Sequence, residues 1–415
     1  MTLPKTALWG LLGVLAGNML IDALEVSTAV VAAPSIGADL GIPDSRLHWV
    51  LSAFALGFGG LLLFGTRITG RYGRRPVYLA ALLGFAAASV AGALTDEPAV
   101  LFGTRLVKGV CAALTAPTGL AIIATAFPEG RPRERALSVY TLFGAAGFTG
   151  GLLLSGALTE AGWRLTFAFP APVVLVLFVL GLRLIPADDT PRGAVRGPLV
   201  PGVLLRSPAL VRSALGAAAL NGSYLGLLFL LTLRLQNGAG WGPLATGLAF
   251  LPASVPLMLT ALHSGRLVSR FGAARLIALG AVAPPAGYLL ALGVGMPARY
   301  ASQVLPVMLL VGAGFVLSFT ALHTQATAAV PAELRGTAGS LYQTAVQTGA
   351  AVTLTAVAAL STAGYRAALL LVTGVGLAGL CVALAGVLPG RRAPAPAPAV
   401  PRTTSPTSRK ESHVH

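Results

Sequence analysis

Long apolar runs recur along almost the whole chain and limit its fold more than any other feature. Each run is about 20 residues or longer, enough for a helix to cross the roughly 30 Å hydrocarbon layer of a membrane. The first run, from about residue 7 to residue 34, is far longer than the apolar core of a signal peptide. Of the 415 residues, 55% are hydrophobic and only 10% are charged. The sequence therefore predicts an all-α membrane protein with about twelve transmembrane helices.

The formal net charge of +16 reflects membrane topology rather than a nucleic-acid partner. If the N-terminus lies inside, 22 of the 29 Lys and Arg residues fall in the N-terminus, the tail and the connections on that same side. Five fall on the other side and two within a span. This is the positive-inside pattern, which predicts a multi-pass membrane protein with both termini cytoplasmic. The Pro-, Ala-, Gly- and Arg-rich composition is typical of a GC-rich bacterial genome, so we expect a bacterial inner (plasma) membrane. The basic residues are then expected to contact anionic lipid heads, and no nucleic-acid partner is predicted.

The longest polar connection divides the predicted spans into two groups of six. We predict an N-terminal six-helix bundle at 1–185, a cytoplasmic linker at 186–211, a C-terminal six-helix bundle at 212–388 and a disordered cytoplasmic tail at 389–415. The pattern Arg-x3-Arg-aromatic-Gly occurs at 67–73 and again 199 residues later at 266–272. Both copies lie between the second and third spans of a half, so the halves are expected to be pseudo-symmetric, with a binding site at their interface.

Two acidic residues lie deep in the first predicted span. Asp22 and Glu25 are three residues apart and therefore share one helical face. A carboxylate at the bilayer centre costs about 2.5–3.5 kcal/mol on insertion scales, so a pair of them needs a reason. Desolvation and mutual repulsion both favour proton binding, which makes this pair a candidate proton-coupling site. A structural ion pair is the alternative.

Two basic residues, Arg105 and Lys108, lie in the fourth predicted span with the same spacing. That helix runs opposite to the first, and Arg105 is expected about 9 Å below the outer edge of the hydrocarbon core while Asp22 lies about 22 Å above the inner edge. The depths nearly coincide, so we predict a charge-balanced, proton-coupling cluster of these four residues that lines a cavity in the N-terminal half. Protonation would free a basic partner and bias a gate; a static tether is the competing explanation.

Further residues are candidates for gating. Glycines in the fifth span, Gly147, Gly151 and Gly156, allow close helix contact, and a role as a flexing element is a second possibility. The basic segments that follow the second span of each half either latch the cytoplasmic face or serve as ordinary positive-inside anchors. The gating candidates in these segments are Arg67, Arg71, Gly73, Arg74, Arg266 and Arg270.

Uncharged polar side chains are the candidates for substrate binding. Gln343 and Gln347 are four residues apart and share a helical face. Because the spans of the C-terminal half carry no acid or base, we assign that half to substrate contact rather than coupling. The full set of substrate-binding candidates is Asn18, Asn221, Tyr224, Gln343 and Gln347.

Several motifs together resemble a known family. The segment 65–75 reads Gly-Thr-Arg-Ile-Thr-Gly-Arg-Tyr-Gly-Arg-Arg, 105–109 reads Arg-Leu-Val-Lys-Gly, and 246–252 reads Thr-Gly-Leu-Ala-Phe-Leu-Pro. With the glycines of the fifth span and the segment Thr-Glu-Ala-Gly-Trp-Arg at 159–164, these resemble the major facilitator superfamily, and within it the drug/proton antiporters. The resemblance spans the chain up to the tail. It implies two six-helix bundles and proton-coupled export of drugs, antibiotics or secondary metabolites by alternating access.

The chain departs from that family pattern at five positions. In the segment after the second span the family's opening Gly is Thr66 and its Asp is Gly70, so the gating salt bridge expected there lacks its acid. The other departures are Lys108 for Gln, Leu152 for Pro and Glu25 for Asp.

The sequence contains no Walker A motif, no metal-spaced set of His and Cys, and no nucleophile–base arrangement. We therefore expect a monomeric transporter that is not an enzyme and uses no cofactor, with a small molecule and protons as its partners. Two alternatives stay open: a facilitator-type transporter of a polar metabolite, and a non-transporting membrane receptor or scaffold. Both transport hypotheses make Asp22 or Glu25 indispensable, whereas the receptor hypothesis does not.

Overall fold

The structure, a computed structural model, describes residues 5–186 and 198–386, which form helices and short connections without a strand. Twelve helices in this part of the chain are long and apolar enough to cross a membrane, in agreement with the predicted number. The spanning helices are α1 (Lys5–Leu40), α2 (Trp49–Tyr72), α3 (Arg74–Leu94), α4 (Pro98–Ala126), α5 (Arg131–Ala161), α6 (Trp163–Ala168 and Pro170–Leu184), α7 (Pro208–Leu233), α8 (Pro243–Thr260), α9 (Ala273–Ala291), α10 (Leu305–Ala328), α11 (Arg335–Ser361) and α12 (Tyr365–Ala385). Shorter helical segments are Asp44–Leu47, Gly202–Leu205, Arg234–Gly238, Ser264–Phe271, Tyr300–Val304 and Ala332–Leu334.

The two halves repeat one packing scheme. In the N-terminal half α1 packs on α5, and α4 packs on α2 and α3. In the C-terminal half α7 packs on α11, and α10 packs on α8 and α9, which are the equivalent pairs. The halves meet where α2 packs on α11 and where α5 packs on α8. These contacts exchange under the same pseudo-symmetry, so the architecture is that of two related six-helix bundles.

The basic segments of the repeat are helical rather than looped. Sequence periodicity ended the second span near residue 66, but α2 continues to Tyr72, and a single residue, Gly73, separates it from α3. Gly73 has φ of 88° and Gly272, its counterpart before α9, has φ of 81°. Glycine adopts this left-handed region without steric cost, which ends each helix sharply. Arginines in the last turn, such as Arg71, also favour continued helix because they interact with its negative end.

The C-terminal half begins earlier than predicted. Helix α7 starts at Pro208 rather than at 212, and the Ser207 hydroxyl accepts a hydrogen bond from the Leu210 amide at 3.4 Å. Serine at this cap and proline in the first turn both favour a helix start. Positions 187–197 of the predicted linker and the whole predicted tail, 389–415, lie outside the described residues.

Candidate coupling and substrate site

Glu25 lies between two cations inside the N-terminal half. The Lys108 ammonium is 2.5 Å from Oε1 of Glu25, and the Arg105 guanidinium pairs with Oε2. All three side chains are at most 2% exposed. Helix α1 supplies the carboxylate and α4 supplies both bases, so the predicted proximity of the two helices' charges is present for these three residues.

Arg105 also ties three helices together. Its Nε donates to the Val50 carbonyl of α2 at 2.7 Å, and a terminal nitrogen donates to the Glu25 carbonyl of α1 at 3.0 Å. The guanidinium lies 5.0 Å from the ring centroid of Phe54 and 5.8 Å from that of Phe167. Aromatic faces attract a desolvated cation and offset part of the cost of its burial.

The Lys108 ammonium also lies beside two aromatic rings. It lies 5.1 Å from the centroid of the Phe85 ring and 5.2 Å from that of Phe167. Sequence reasoning missed Phe85 and Phe167, which come from α3 and α6, because isolated aromatic residues in apolar spans carry no local signal of their partners.

Asp22 lies apart from the two cations. Its Oδ2 accepts hydrogen bonds from the Asn18 amide at 2.9 Å and from the Thr115 hydroxyl at 3.0 Å. The residue is 5% exposed, and within residues 5–186 and 198–386 its Oδ1 has no hydrogen-bond partner. The predicted four-charge cluster thus divides into an ion-paired group of three and one carboxyl held by neutral donors. Asn18, predicted as a substrate contact, directs its amide to Asp22.

Among the candidate substrate residues, Tyr224 lies at the contact between the halves. The Tyr224 ring of α7 lies 5.9 Å from the Phe148 ring of α5 and 4.7 Å from the Phe315 ring of α10, and Phe319 stacks on Phe315 at 5.2 Å. We call Phe148, Tyr224, Phe315 and Phe319 the aromatic cluster. It joins both halves through apolar faces, and Phe315 and Phe319 were not predicted.

The polar candidates of the C-terminal half lie on α7 and α11. The Asn221 amide donates to the Val346 carbonyl of α11 at 3.3 Å and so connects α7 to α11. Gln347 is buried against Gly59 of α2, whereas Gln343, one turn earlier, is half-buried. Gln347 therefore lies in the contact between the halves.

The glycines of α5 permit two close helix approaches. A Cβ on Gly151 would lie 3.0 Å from Cα of Leu24 in α1, and one on Gly156 would lie 2.8 Å from Cα of Leu244 in α8. Gly147 faces α1 in the same way, at Leu20. The helix runs unbroken through all three, so the structure shows close packing at these positions, as the sequence indicated.

The halves approach each other near the face of the membrane opposite the basic segments. Gly156 and Leu244 lie toward that face, as does Gln236, whose amide donates to the Val31 carbonyl at 3.0 Å. Nearer mid-membrane, the Thr344 hydroxyl donates to the Gly59 carbonyl at 3.2 Å. These contacts close the molecule on that face.

The basic segments have matching side-chain arrangements in the two halves. The Arg71 guanidinium lies 5.4 Å from the Tyr72 ring centroid, and that of Arg270 lies 5.5 Å from the Phe271 ring centroid. The Arg71, Arg266 and Arg270 side chains are exposed, and Arg67 and Arg74 are half-buried.

Sequence reasoning missed an ionic group on the opposite face. Arg164 pairs with both Asp39, at the end of α1, and Asp96, before α4. The Trp163 indole donates to Asp39 at 2.9 Å, and the Arg164 guanidinium lies 4.5 Å from the Trp163 ring centroid. Acids at span ends are common in sequence, and only the fold brings these three together.

A family model described as Major Facilitator Superfamily matches residues 15–354. The chain belongs to the Major Facilitator Superfamily. Membership confirms the family expected from the motifs and the fold of two six-helix bundles, and makes the chain a multi-pass membrane transporter of the superfamily's small-molecule type.

Relatives within the superfamily come from actinobacteria. The puromycin resistance protein pur8 of Streptomyces alboniger is 33% identical, with 86% of this chain and 83% of that protein covered. The cephamycin export protein CmcT of Amycolatopsis lactamdurans is 30% identical, with the same shares covered. The multidrug efflux pump LfrA of Mycolicibacterium smegmatis is 26% identical, with 88% of this chain and 83% of that pump covered.

A solved structure of the nucleoside transporter NupG superposes with a TM-score of 0.73 at 14% sequence identity, covering 92% of this chain and 99% of that one. This similarity shows the shared superfamily fold.

Proposed function

We propose that the protein exports small hydrophobic or amphipathic molecules, of the antibiotic and drug class, by proton-coupled alternating access across a bacterial plasma membrane. Relatives named for puromycin resistance, cephamycin export and multidrug efflux support the substrate class. The observation that carries the coupling is the buried Asp22 carboxyl, which has neutral donors on one oxygen and an unpartnered second oxygen within the described ranges.

Asp22 and Glu25 have different roles in this proposal. Glu25 contacts a cation with each oxygen, so its carboxylate is paired within the group. An ionised Asp22 would be a buried charge without a counter-ion, and a proton on Oδ1 removes that charge. Asp22 is therefore the group that carries the exchanged proton, and Glu25 is the fixed centre of the ion-paired group.

The surroundings of Asp22 favour this assignment. Among the residues that the structure describes, Asp22 forms no ion pair, and the side chains that donate to it, Asn18 and Thr115, are neutral. Glu25, one turn further along α1, is a second acid and cannot compensate an ionised Asp22.

A change at Asp22 can reach the contact between the halves through two helix packings. Thr115 connects Asp22 to α4, and α1 packs on α5 at Gly147 and Gly151. Helix α5 packs in turn on α8 of the other half at Gly156. Protonation that favours one arrangement of α1 would bias this contact and shift the population between two arrangements of the halves.

The aromatic cluster forms the proposed substrate wall. Half-buried Gln343, one of the predicted substrate residues, is assigned to the same site. Its members are uncharged, which suits hydrophobic molecules with few polar groups. The positive-inside pattern places the basic segments in the cytoplasm. The contacts on the opposite face then close the external side, which corresponds to a conformation that receives substrate from the cytoplasm.

The test uses everted membrane vesicles that hold a pH-sensitive dye and an imposed proton gradient. Puromycin, a cephamycin and a panel of lipophilic cations are added to vesicles with the wild type, Asp22→Asn or the control Asp39→Asn. Asparagine is nearly isosteric with the protonated acid but cannot release a proton. Asp39 lies at the exposed end of the same helix and tests whether any acid on α1 matters.

The proposal expects compound-dependent proton movement in the wild type and in Asp39→Asn, and its loss in Asp22→Asn while substrate binding persists. Substrate flux without proton movement in the wild type would replace it with the facilitator hypothesis. Coupled transport that survives in Asp22→Asn would move the proton site elsewhere. Binding without flux would favour a receptor.

A further inference from the structure

A crevice penetrates the C-terminal half between α7, α9, α10 and α12. It is partly open to the surface, and its walls are largely apolar. Small residues such as Gly216, Ala281 and Gly379 leave the space open. All of the lining residues belong to this half, so the crevice is separate from the contact between the halves where the substrate wall lies.

The depth of the crevice matches one leaflet of a membrane. On α7 the lining extends from Arg212, near the start of the helix, to Ser223. The eleven steps between these residues rise about 16 Å at 1.5 Å per residue, and one leaflet of the hydrocarbon core is about 15 Å thick. On α10 the lining runs from Gln325, near the helix end, inward to Ser318. The crevice therefore spans the leaflet on the side of the basic segments.

The mouth and the interior each present polar atoms without partners. Arg212 lines the end of the crevice near the start of α7, which we call the mouth, and within the described residues its Nε is buried and makes no hydrogen bond. Beside it, Gln325 accepts a hydrogen bond from the Ser213 hydroxyl at 2.9 Å, which leaves its amide nitrogen free to donate. Deeper inside, Ser318 is 2% exposed, and its hydroxyl has no partner in the same part of the chain.

We propose that this crevice binds an anionic phospholipid, with one acyl chain along its apolar walls and the phosphate held at the mouth by Arg212 and the Gln325 amide. A guanidinium at headgroup depth complements a phosphate, and basic pockets between transmembrane helices are suited to anionic headgroups. A transported molecule is a weaker fit, because a transport site has to lie between the parts that move, and one half alone encloses this crevice.

The experiment measures lipid retention on the full-length protein in detergent by native mass spectrometry. Phosphatidylglycerol and phosphatidylcholine with the same acyl chains are titrated, and inorganic phosphate and puromycin are added as competitors. The variants are Arg212→Gln, which removes the charge, Arg212→Lys, which keeps it, and Ala281→Leu, which fills the crevice. Arg206→Gln is the matched control, because Arg206 is exposed on the same face and does not line the crevice.

We expect phosphatidylglycerol to bind about fivefold more tightly than phosphatidylcholine, the preference that one basic residue near the headgroup supplies. Arg212→Gln should abolish the preference, Arg212→Lys should keep most of it, and Ala281→Leu should weaken retention of both lipids. Arg206→Gln should behave as the wild type.

Three results would overturn the proposal. Equal binding of both lipids to the wild type would remove the headgroup site. Displacement by inorganic phosphate, with no effect of Ala281→Leu, would indicate a phosphate site without an acyl chain. Competition by puromycin would assign the crevice to substrate instead.

Discussion

The first helix of each half occupies the same place in its bundle, but only α1 carries acidic residues. At the repeat offset of 199 residues, Asp22 corresponds to Asn221 and Glu25 to Tyr224. At the same offset the two bases of α4, Arg105 and Lys108, correspond to valines at 304 and 307. Between positions 198 and 386 the sequence contains one acidic residue, Glu333.

The difference separates helix packing, which both halves share, from buried charges, which one half carries. The equivalent helix pairs α1–α5 and α7–α11 show that both halves keep the same packing scheme. The buried charges are costly in a membrane and occur in one half, whereas the other half supplies an aromatic and amide surface. Packing is thus duplicated while ionic chemistry is not, and the predictions below test this division.

The largest expected effect is that of Glu25→Gln. The substitution leaves Arg105 and Lys108 as two buried cations without a counter-ion, and removing one partner of a buried pair typically costs about 3–5 kcal/mol. Thermal or chemical unfolding of the purified protein measures the loss. Tyr224→Phe, at the corresponding position of α7, removes one hydroxyl and keeps the ring, so it should lower the free energy of unfolding far less than Glu25→Gln does.

A double substitution separates the ion pair from general sensitivity of the site. Glu25→Gln with Lys108→Gln restores the net charge of the ion-paired group, so it should be less destabilising than the sum of the single changes. Additive losses would show that Glu25 and Lys108 do not stabilise each other, and would break the contrast between the halves.

An intermediate effect is expected where the halves are alike. Gly151→Ala places a methyl group against Leu24, and Gly349→Ala places one 2.7 Å from Cα of Ala218 in α7. Overpacking of this kind costs about 1–3 kcal/mol, and the two variants should lose similar free energy of unfolding because the equivalent helix pair is affected.

The matched controls for these glycines are Gly150→Ala and Gly374→Ala. An added Cβ at either position meets no atom within 4 Å. Both controls should unfold like the wild type. Large destabilisation by the controls, or by only one of the two packed glycines, would show that the packing is not duplicated as described.

The smallest effect is expected at the face opposite the basic segments. Arg164 contacts two partly exposed carboxylates, whereas Arg234 of the C-terminal half donates to the Val294 carbonyl at 2.7 Å and lies 4.3 Å from the Tyr365 ring centroid. Exposed ion pairs contribute little and are screened by salt. The change in unfolding temperature caused by Arg164→Gln should be small and shrink in high salt. That of Arg234→Gln should be insensitive to salt, and equal salt dependence in both would contradict the contrast.

Most of the fold could be predicted because each membrane span is a continuous apolar run that is visible in the local sequence. Apolar runs give their number, and the repeated basic segment, with its paired Gly73 and Gly272, gives the halves. The end of α2 was misplaced because polar residues continue the helix beyond its apolar part. The start of α7 was misplaced because the cap at Ser207 and the proline after it begin the helix before Arg212. Gly70 and Leu152, where the family has Asp and Pro, did not prevent continuous helices.

The candidate site was predictable only in part. The helical spacing and depth of the buried charges indicated that α1 and α4 bring them together. The different surroundings of Glu25 and Asp22 depend on further side chains. Thr115 donates to Asp22, and Phe167 lies beside the two cations that pair with Glu25. Those partners come from sequence-distant helices and have no periodic signal. The functional roles of these residues stay predictions, which the vesicle experiment addresses.

The lone carboxyl of Asp22 has a consequence for bioenergetics. If one proton enters for each molecule exported, export of a neutral compound moves one net charge across the membrane and draws on the electrical potential as well as the pH gradient. That potential supplies about 2.3 kcal/mol per charge at 100 mV. Exchange of one proton for a monovalent cationic drug is electroneutral and draws on the pH gradient alone. An ionophore that collapses only the electrical potential would then lower resistance to neutral compounds more than resistance to monovalent cationic ones, so the charge of the antibiotic decides which component of the proton-motive force sets its resistance level.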